Sequence, residues 1–480
     1  MSDSRFILRG SLLNMGGMIA RTIFSLLNIL LPRVFSQATF GMFVSLQSFV
    51  YATSTLVGLG LNQGMQWWIP RLKAENRFSS GTVWNGFRLV MISSTVIVLV
   101  VTILFALFHS LLPKTLHEIP VIFFCICMAA IPANVVLYYS CGSLMGIRKP
   151  QYTALYAQFL SISLVTVIAL ILSLTHLSYA LAWSLLSANL LCAGIVIYHL
   201  RRHIPPEPMP RLMSIDKKLL DYSLPIAFYS TVISALECID LWLVFMILGA
   251  KKAALYGITL MLAGGVVQVS RSYSRLIVPV VSGMDSNTLR IKLKDVFSYS
   301  VNMVLMIQFA IVFTMFFFPK ELLSLAGTQY SVDTVPFLIL VISYLIVGYS
   351  ELSGQVILGL GKSSILLWID LTILVFATIM NALLIPEFGM RGAALSTLTA
   401  YSTRGFIYVT IQTRLAGQWL YNFRVMLNAV WMAIVFICIV IIQPQIASLS
   451  FFQRIPLFLT AMSLYALWVW RNREQMSPRY

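Results

Sequence analysis

Long apolar runs separated by short polar segments dominate the chain and predict membrane-spanning helices. Runs of about 18 or more apolar residues recur from Leu12 to Trp470, and a helix of that length crosses about 30 Å of hydrocarbon. Taken between charges, Pro and Gly, the runs predict helices near 12–31, 41–68, 88–112, 120–143, 153–174, 179–200, 220–248, 253–283, 295–318, 334–359, 363–385, 392–413, 425–443 and 453–470. This pattern indicates an all-α membrane protein with about 14 transmembrane helices.

A polar stretch after the sixth predicted helix divides the chain. Residues 201–218 contain four prolines and an excess of basic side chains, which is typical of an inter-lobe linker. We therefore predict an N-lobe of six helices over 1–200, a cytoplasmic basic linker over 201–218, and a C-lobe of six helices over 219–414. Residues 415–480 would hold a C-terminal helix pair and a tail.

The basic residues alternate along the loops and predict an orientation. With the N-terminus inside, about 21 Lys and Arg fall in inside loops and about 7 in outside loops, the asymmetry that the positive-inside rule expects. Both termini are predicted to be cytoplasmic. This distribution also explains the net charge of +17 without a nucleic-acid partner.

The two halves resemble each other at a shift of about 213 residues. The segment 146–149 (Gly-Ile-Arg-Lys) falls on 359–362 (Gly-Leu-Gly-Lys), and Ala180 falls on Ala393. A slightly larger shift places Phe40-Gly41 on Tyr256-Gly257. Because each half has an even number of helices, the two lobes would share one orientation as parallel repeats. Two such lobes would leave a cleft between them that is suited to alternating access.

Composition excludes a soluble protein and offers little enzyme chemistry. Hydrophobic residues make up 59% of the chain and charged residues 10%, where soluble domains have about 25% charged residues. The six cysteines lie in or beside apolar segments, so neither disulfides nor a metal site are predicted. The five histidines lie at helix ends or in loops, and no cofactor-binding motif is found. We expect neither an enzyme nor a bound cofactor.

Four arginines fall inside predicted helices, where a charge is costly unless it faces a cavity or a partner. They are Arg21, Arg271, Arg275 and Arg404. Arg271 and Arg275 are four residues apart and share a helical face. Because the planar guanidinium binds phosphate with two hydrogen bonds and keeps its charge, these residues are candidates for an anion-binding site. The alternative is an ion pair that only locks helices together, for example Asp240 with Arg271.

Carboxylates in the same helices could balance these charges or bind a coupling ion such as H⁺ or Na⁺. Glu237 and Asp240 are three residues apart and share a face of one predicted helix, and Asp370 lies in the helix over 363–385. For each of Arg404, Glu351 and Asp370, a structural ion pair with some other residue is an equally good interpretation.

Four passages resemble the polysaccharide-biosynthesis flippases of the multidrug/oligosaccharidyl-lipid/polysaccharide exporter (MOP) superfamily, over essentially the whole chain. The first passage opens with Phe40-Gly41, contains Gly58-Leu59-Gly60 and closes with residues 68–71. The second is residues 222–225, and the third is residues 255–257 with Pro279 later in the same helix. The fourth is the Asn, Pro, Gly and Gly-Ala-Ala pattern of residues 381–394. The resemblance implies a MATE-like fold and a protein of the bacterial inner membrane.

The resemblance also implies a function. Such a flippase moves an undecaprenyl-pyrophosphate-linked oligosaccharide to the periplasmic leaflet, for O-antigen of lipopolysaccharide, capsule or exopolysaccharide biosynthesis. The family lines a cationic cavity with helices that here carry Arg21, Arg271 and Arg275, so we expect these three to hold the pyrophosphate. Membrane lipids and the polysaccharide polymerase machinery would be its partners.

Two other functions are compatible with the chain. A MATE-like cation or drug antiporter would use Glu237, Asp240 and Asp370, although several cavity arginines argue against a cationic substrate. A membrane polysaccharide polymerase or acyltransferase would generally need a sizeable polar loop or an intramembrane His, and the sequence has neither.

Overall fold

The described part of the chain is helical throughout. The structure, a computed structural model, describes residues 28–206, 216–271 and 286–472, except for positions 112, 150 and 176 and several positions between 424 and 448. Every regular element in these ranges is a helix. The predicted all-α class is therefore confirmed for the described residues.

The chain forms two compact units, Met1–Gly257 and Ile258–Tyr480. The first contains, in chain order, α1 (Gln37–Val57), α2 (Leu61–Ala74), α3 (Ser80–Phe108), α4 (Val121–Gly146), α5 (Thr153–Leu174), α6 (Ala180–His203), α7 (Lys217–Leu248) and the start of α8 (Ala250–Ala263). The second contains the end of α8, then α9 (Gly265–Arg271), α10 (Ser286–Phe317), α11 (Val335–Gly359), α12 (Ser363–Phe388), α13 (Met390–Ala416) and α14 (Phe451–Asn472).

Most predicted helices have a counterpart in the structure. Within the described residues, nine helical segments are long and apolar enough to cross a membrane, or ten if α8 and α9, bent by 41°, form one span. Of the predicted first helix only its end, from residue 28, lies in the described residues, and the run over 425–443 is described only in part. The side chain of Ser36 caps the start of α1, where its hydroxyl oxygen accepts a hydrogen bond from the main-chain amide of Thr39.

The compact units do not divide at the polar linker. The sequence assigns α7 to the second lobe, but α7 packs within the first unit against α1 and α2. Glycines make this packing close. A Cβ on Gly60 would lie 2.2 Å from the carbonyl oxygen of Ser223, and a Cβ on Gly64 would lie 2.0 Å from its Oγ. Beside them, Trp67 of α2 stacks on Tyr222 of α7 with ring centroids 4.2 Å apart.

The start of α1 packs equally closely on α8. A Cβ on Gly41 would lie 1.8 Å from the carbonyl oxygen of Ala250, so only glycine fits at this crossing. Gly257 of α8 faces Val44 of α1, and a Cβ on Gly257 would lie 3.1 Å from Val44 Cγ1. Helices α1 and α8, which carry the repeat-related segments Phe40-Gly41 and Tyr256-Gly257, therefore pack against each other.

The internal repeat is also visible in backbone geometry. Helix α4 ends at Gly146 and α11 ends at Gly359, and two residues later both turns place a residue at positive φ, Arg148 at 64° and Gly361 at 75°. In both turns the amide of the following lysine bonds a carbonyl of the last helical turn, Lys149 to Leu144 at 3.0 Å and Lys362 to Ile357 at 3.2 Å. The two halves thus use the same helix C-cap.

The Gly-rich segment between α12 and α13 forms a tight connection. Gly389 has φ 59° and ψ −135°, which residues with a Cβ rarely adopt, and it ends α12 and begins α13. A Cβ on Gly392 would lie 2.0 Å from the carbonyl oxygen of Leu384, while Ala393 and Ala394 are fully buried. Small residues in this motif therefore allow α12 and α13 to run side by side.

Candidate functional site

A cavity of about 510 Å³ lies inside the first unit. Its walls come from α1, the beginning of α2, α4, α5 and α7, and its lining residues are Ser48, Tyr51, Ala52, Ser54, Thr55, Gly58, Asn62, Gln63, Asn134, Val135, Tyr138, Tyr139, Ser161, Ile162, Ser230, Ile233, Ser234, Glu237 and Cys238. Most of these side chains carry a hydroxyl or an amide. A polar chamber surrounded by strongly apolar helices is a candidate binding site.

Packing between α1 and α7 fixes one wall of the cavity. The indole Nε1 of Trp242 donates a hydrogen bond to Ser48 Oγ at 2.8 Å, and the same ring meets Phe49 edge-on at 5.7 Å. On the side of α2, Gln63 Nε2 lies 3.5 Å from Ser230 Oγ. These contacts hold the polar faces of α1 and α7 at the cavity.

The lining hydroxyls offer acceptors rather than donors. Several of them donate their hydrogen to a main-chain carbonyl of their own helix at 2.7–3.2 Å, namely Ser48, Ser54, Thr55 and Ser161. The hydroxyl of Tyr139 likewise donates to the carbonyl of Val83. A hydroxyl whose hydrogen is used in this way keeps lone pairs for a ligand. The cavity therefore favours a ligand rich in O–H or N–H groups over a phosphate, which only accepts.

Glu237 is the single charged side chain among the described residues that line the cavity. No described arginine or lysine lines it. Asp240, one helical turn further along α7, is 3% exposed and accepts a hydrogen bond from Tyr256 Oη of α8 at 2.9 Å. The two acidic residues that share a face in the sequence thus have different neighbours.

The predicted arginines fall into separate places. Arg21 and Arg275 lie outside the described residues. Arg271 is the last residue of α9 in the second unit and is half-buried. Their role in binding a pyrophosphate remains a prediction.

Arg404 and Asp370 come together in the second unit. The guanidinium of Arg404 on α13 bonds the carboxylate of Asp370 on α12, and both side chains are buried. The sequence left an ion pair open for each of these residues as an alternative to substrate or ion binding, and the structure pairs them with each other. Tyr408 Oη donates to the same carboxylate at 2.8 Å.

Sequence reasoning missed the amide and hydroxyl groups of the cavity. Asn134 and Asn189 were visible as polar residues within apolar runs, but a single amide in a membrane helix is often structural. Their pairing across α4 and α6, from Asn134 Nδ2 to Asn189 Oδ1 at 2.9 Å, needed the tertiary structure. Among the described residues, no cluster of His, Cys, Asp or Glu could hold a metal ion.

Solved structures share this fold. A MOP-superfamily transporter from Pyrococcus furiosus superposes on this chain with a TM-score of 0.65 at 15% sequence identity, over 86% of this chain and 95% of the other. That transporter is described as having a binding pocket of reverse polarity, which suggests a different function for it. The chain has the fold of MOP-superfamily transporters. An outward-facing multidrug resistance MATE family transporter gives a TM-score of 0.62 at 15% identity, covering 86% and 95%, and an inward-facing one gives 0.60 at 14%, covering 83% and 98%. The predicted MATE-like fold is confirmed.

Sequence comparison is less informative. No family model matches the chain. The uncharacterized membrane protein MJ1375 of Methanocaldococcus jannaschii is 24% identical over 280 residues, which cover 55% of this chain and 65% of that protein. The match thus spans slightly less than two thirds of this relative.

Proposed function

We propose that this protein is an alternating-access transporter that flips an undecaprenyl-pyrophosphate-linked oligosaccharide across the bacterial inner membrane, for surface polysaccharide biosynthesis. The observation that carries the proposal is the hydroxyl- and amide-lined cavity within the first unit of a MOP-type fold. The sugar would occupy this cavity while the lipid tail stays in the bilayer.

The chemistry of the lining supports a sugar. A glycan carries many hydroxyl donors and no net charge unless it contains acidic sugars, so it matches walls that are mainly neutral and offer lone pairs. Placing it among apolar groups alone would leave its hydroxyls without partners, which is unfavourable. The cavity would satisfy those hydroxyls with the oxygens of Ser54, Thr55 and Ser161.

The pyrophosphate needs a different environment from the sugar. It is anionic and only accepts hydrogen bonds, so the acceptor-rich cavity would repel it. We assign it to Arg21, Arg271 and Arg275, as the resemblance implies. Glu237 and Asp240 would then balance charge or take up a coupling ion.

A flipping assay in proteoliposomes tests the proposal. The wild-type protein, reconstituted with a fluorescent undecaprenyl-pyrophosphate-linked oligosaccharide, should expose the sugar at the opposite leaflet. Arg21→Ala and Arg271→Ala should both lower the rate at least tenfold, because one charge-assisted hydrogen bond contributes about 1.5–3 kcal/mol. Arg77→Ala, at a position whose side chain is 70% exposed near the end of α2, is the matched control and should leave the rate unchanged. Undiminished flipping by both test variants removes the assigned phosphate site.

One observation favours a second candidate, the MATE-like cation or drug antiporter. Glu237 is the single charge that the described residues bring to the cavity, and a carboxylate among acceptors suits an organic cation. Expression in a drug-sensitive host distinguishes the two: an antiporter raises resistance to cationic drugs and Glu237→Gln abolishes it. A flippase leaves susceptibility unchanged.

A further inference from the structure

Asn134, a residue that lines the cavity, has a buried side-chain oxygen without a hydrogen-bond partner. Asn134 lies in the middle of α4, is 1% exposed and lines the cavity. Its Nδ2 donates to Asn189, but its Oδ1 has no partner. Most buried polar side-chain atoms in proteins are hydrogen-bonded, so this oxygen is available to a donor that enters the cavity.

The neighbouring amide fixes the orientation of Asn134. Asn189 Nδ2 donates to the carbonyl of Leu185 at 2.8 Å, so Asn189 must present its Oδ1 to Asn134. Rotating the Asn134 amide by 180° would place two acceptor oxygens against each other, which is repulsive. Asn134 therefore keeps its nitrogen on Asn189 and its oxygen is the group left for a ligand.

We propose that Asn134 is the acceptor for one particular hydroxyl of the sugar head group, with Asn189 as the positioning residue that aims it. This inference rests on the proposed function, since it names a residue that would read the sugar in that cavity. The hydrogen bond to Asn189 holds the Asn134 amide in one direction, and its oxygen has no partner within the protein. Asn134 would thus distinguish sugars by the presence of a hydroxyl at one position.

Equilibrium binding in nanodiscs tests this role. The probes are a radiolabelled undecaprenyl-pyrophosphate-linked disaccharide of neutral hexoses and its monodeoxy analogues. The wild-type protein should bind one analogue about tenfold more weakly than the parent, because that analogue lacks the donor hydroxyl. Asn134→Leu should bind the parent about tenfold more weakly and should no longer distinguish it from that analogue. Loss of discrimination is a result that a merely structural role would not produce.

Matched variants separate binding from folding. Asn381→Leu is the control, since Asn381, on α12, is also 1% exposed with an unpartnered Oδ1 but is not among the described residues that line the cavity. This variant should bind and discriminate as the wild type does. Asn134→Ala, which removes the amide without adding bulk, should behave as Asn134→Leu and replaces it if that variant misfolds. Asn189→Leu should weaken the discrimination because Asn134 can then rotate.

The outcomes distinguish the inference from the function. If the wild type binds the glycolipid and both Asn134 variants discriminate as it does, the role of Asn134 is refuted and the flippase proposal stands. Equal losses in Asn381→Leu also refute it, because the effect would then be structural. If the wild-type protein binds no lipid-linked sugar, the proposed function fails and the inference falls with it.

Discussion

The guanidinium of Arg404 donates two hydrogen bonds to the carboxylate of Asp370, from Nε to Oδ1 at 2.8 Å and from Nη2 to Oδ2 at 3.2 Å. Tyr408, one turn after Arg404 on α13, completes the cluster by donating to the same carboxylate. Asp370 is fully buried and the Arg404 side chain is 7% exposed. The ion pair joins α12 to α13, and each of the two buried charges is balanced by the other.

Breaking this pair should destabilise the protein. Arg404→Met leaves a buried carboxylate without its cation, and removing one partner of a buried ion pair typically costs about 3–5 kcal/mol. The double variant Arg404→Met with Asp370→Leu removes both charges, so it should recover most of the stability. Thermal unfolding in detergent, followed by the midpoint temperature, measures both changes.

Transport by the double variant tests the role of Arg404 in substrate binding. If the ion pair is structural, a stable double variant should flip substrate at close to the wild-type rate. A double variant that regains its unfolding temperature yet does not flip would instead support Arg404 as a binding residue.

The contact between α2 and α7 should show a selective rescue. Gly64→Ala places a methyl group 2.0 Å from Ser223 Oγ, and such overpacking typically costs about 1–3 kcal/mol. Because the clash is with a side chain, Ser223→Gly should restore the stability of Gly64→Ala. Gly60→Ala should not be rescued, since its methyl meets the main-chain oxygen of Ser223 at 2.2 Å and Gly60 has φ +64°. The melting temperatures of the four variants decide this; equal rescue of both glycine variants would contradict the packing.

Two glycines in membrane helices should respond in opposite ways to the same substitution. Gly392→Ala forces a methyl to 2.0 Å from the carbonyl of Leu384 and must separate α12 from α13, so it should lower the unfolding temperature. Gly194→Ala on α6 meets no atom within 4 Å and should keep or raise that temperature, because alanine is the better helix former by about 1 kcal/mol. An unchanged unfolding temperature in Gly392→Ala would mean that α12 and α13 are less closely packed than the structure shows.

The predicted orientation can be tested by cysteine labelling at two exposed positions. Val332, which precedes α11, is 84% exposed, and the Arg77 side chain, between α2 and α3, is 70% exposed. With cytoplasmic termini, Val332→Cys should react with a membrane-impermeant maleimide added to intact spheroplasts, and Arg77→Cys should react only after permeabilisation. The wild-type protein measures the background from native cysteines. The reverse labelling pattern would invert the topology.

Glu237 and Asp240 on α7 show which part of the candidate site the sequence could predict. Their spacing places both on one face of a predicted helix, and the structure has both on α7. The cost of burying a charge predicts polar surroundings for each of them. The sequence could not show that Glu237 lines a cavity while Asp240 bonds Tyr256 of α8. Those neighbours lie on other helices, and helical periodicity carries no information about which helix packs where.

The sequence by itself determined the all-α membrane class and the approximate position of most helices that the structure describes, because membrane spans must be long and apolar and must satisfy their backbone hydrogen bonds internally. The MATE-like fold was implied by the resemblance of four passages to a known family. The sequence also determined the internal repeat, which reappears as matching turns at Arg148 and Gly361. Tertiary structure alone decided that Arg404 closes on Asp370, and that the chamber in the first unit is formed by hydroxyls and the Asn134 amide. The physical reason is that a side chain's partner depends on helix rotation and contact distance, which are set by close packing between segments far apart in the chain.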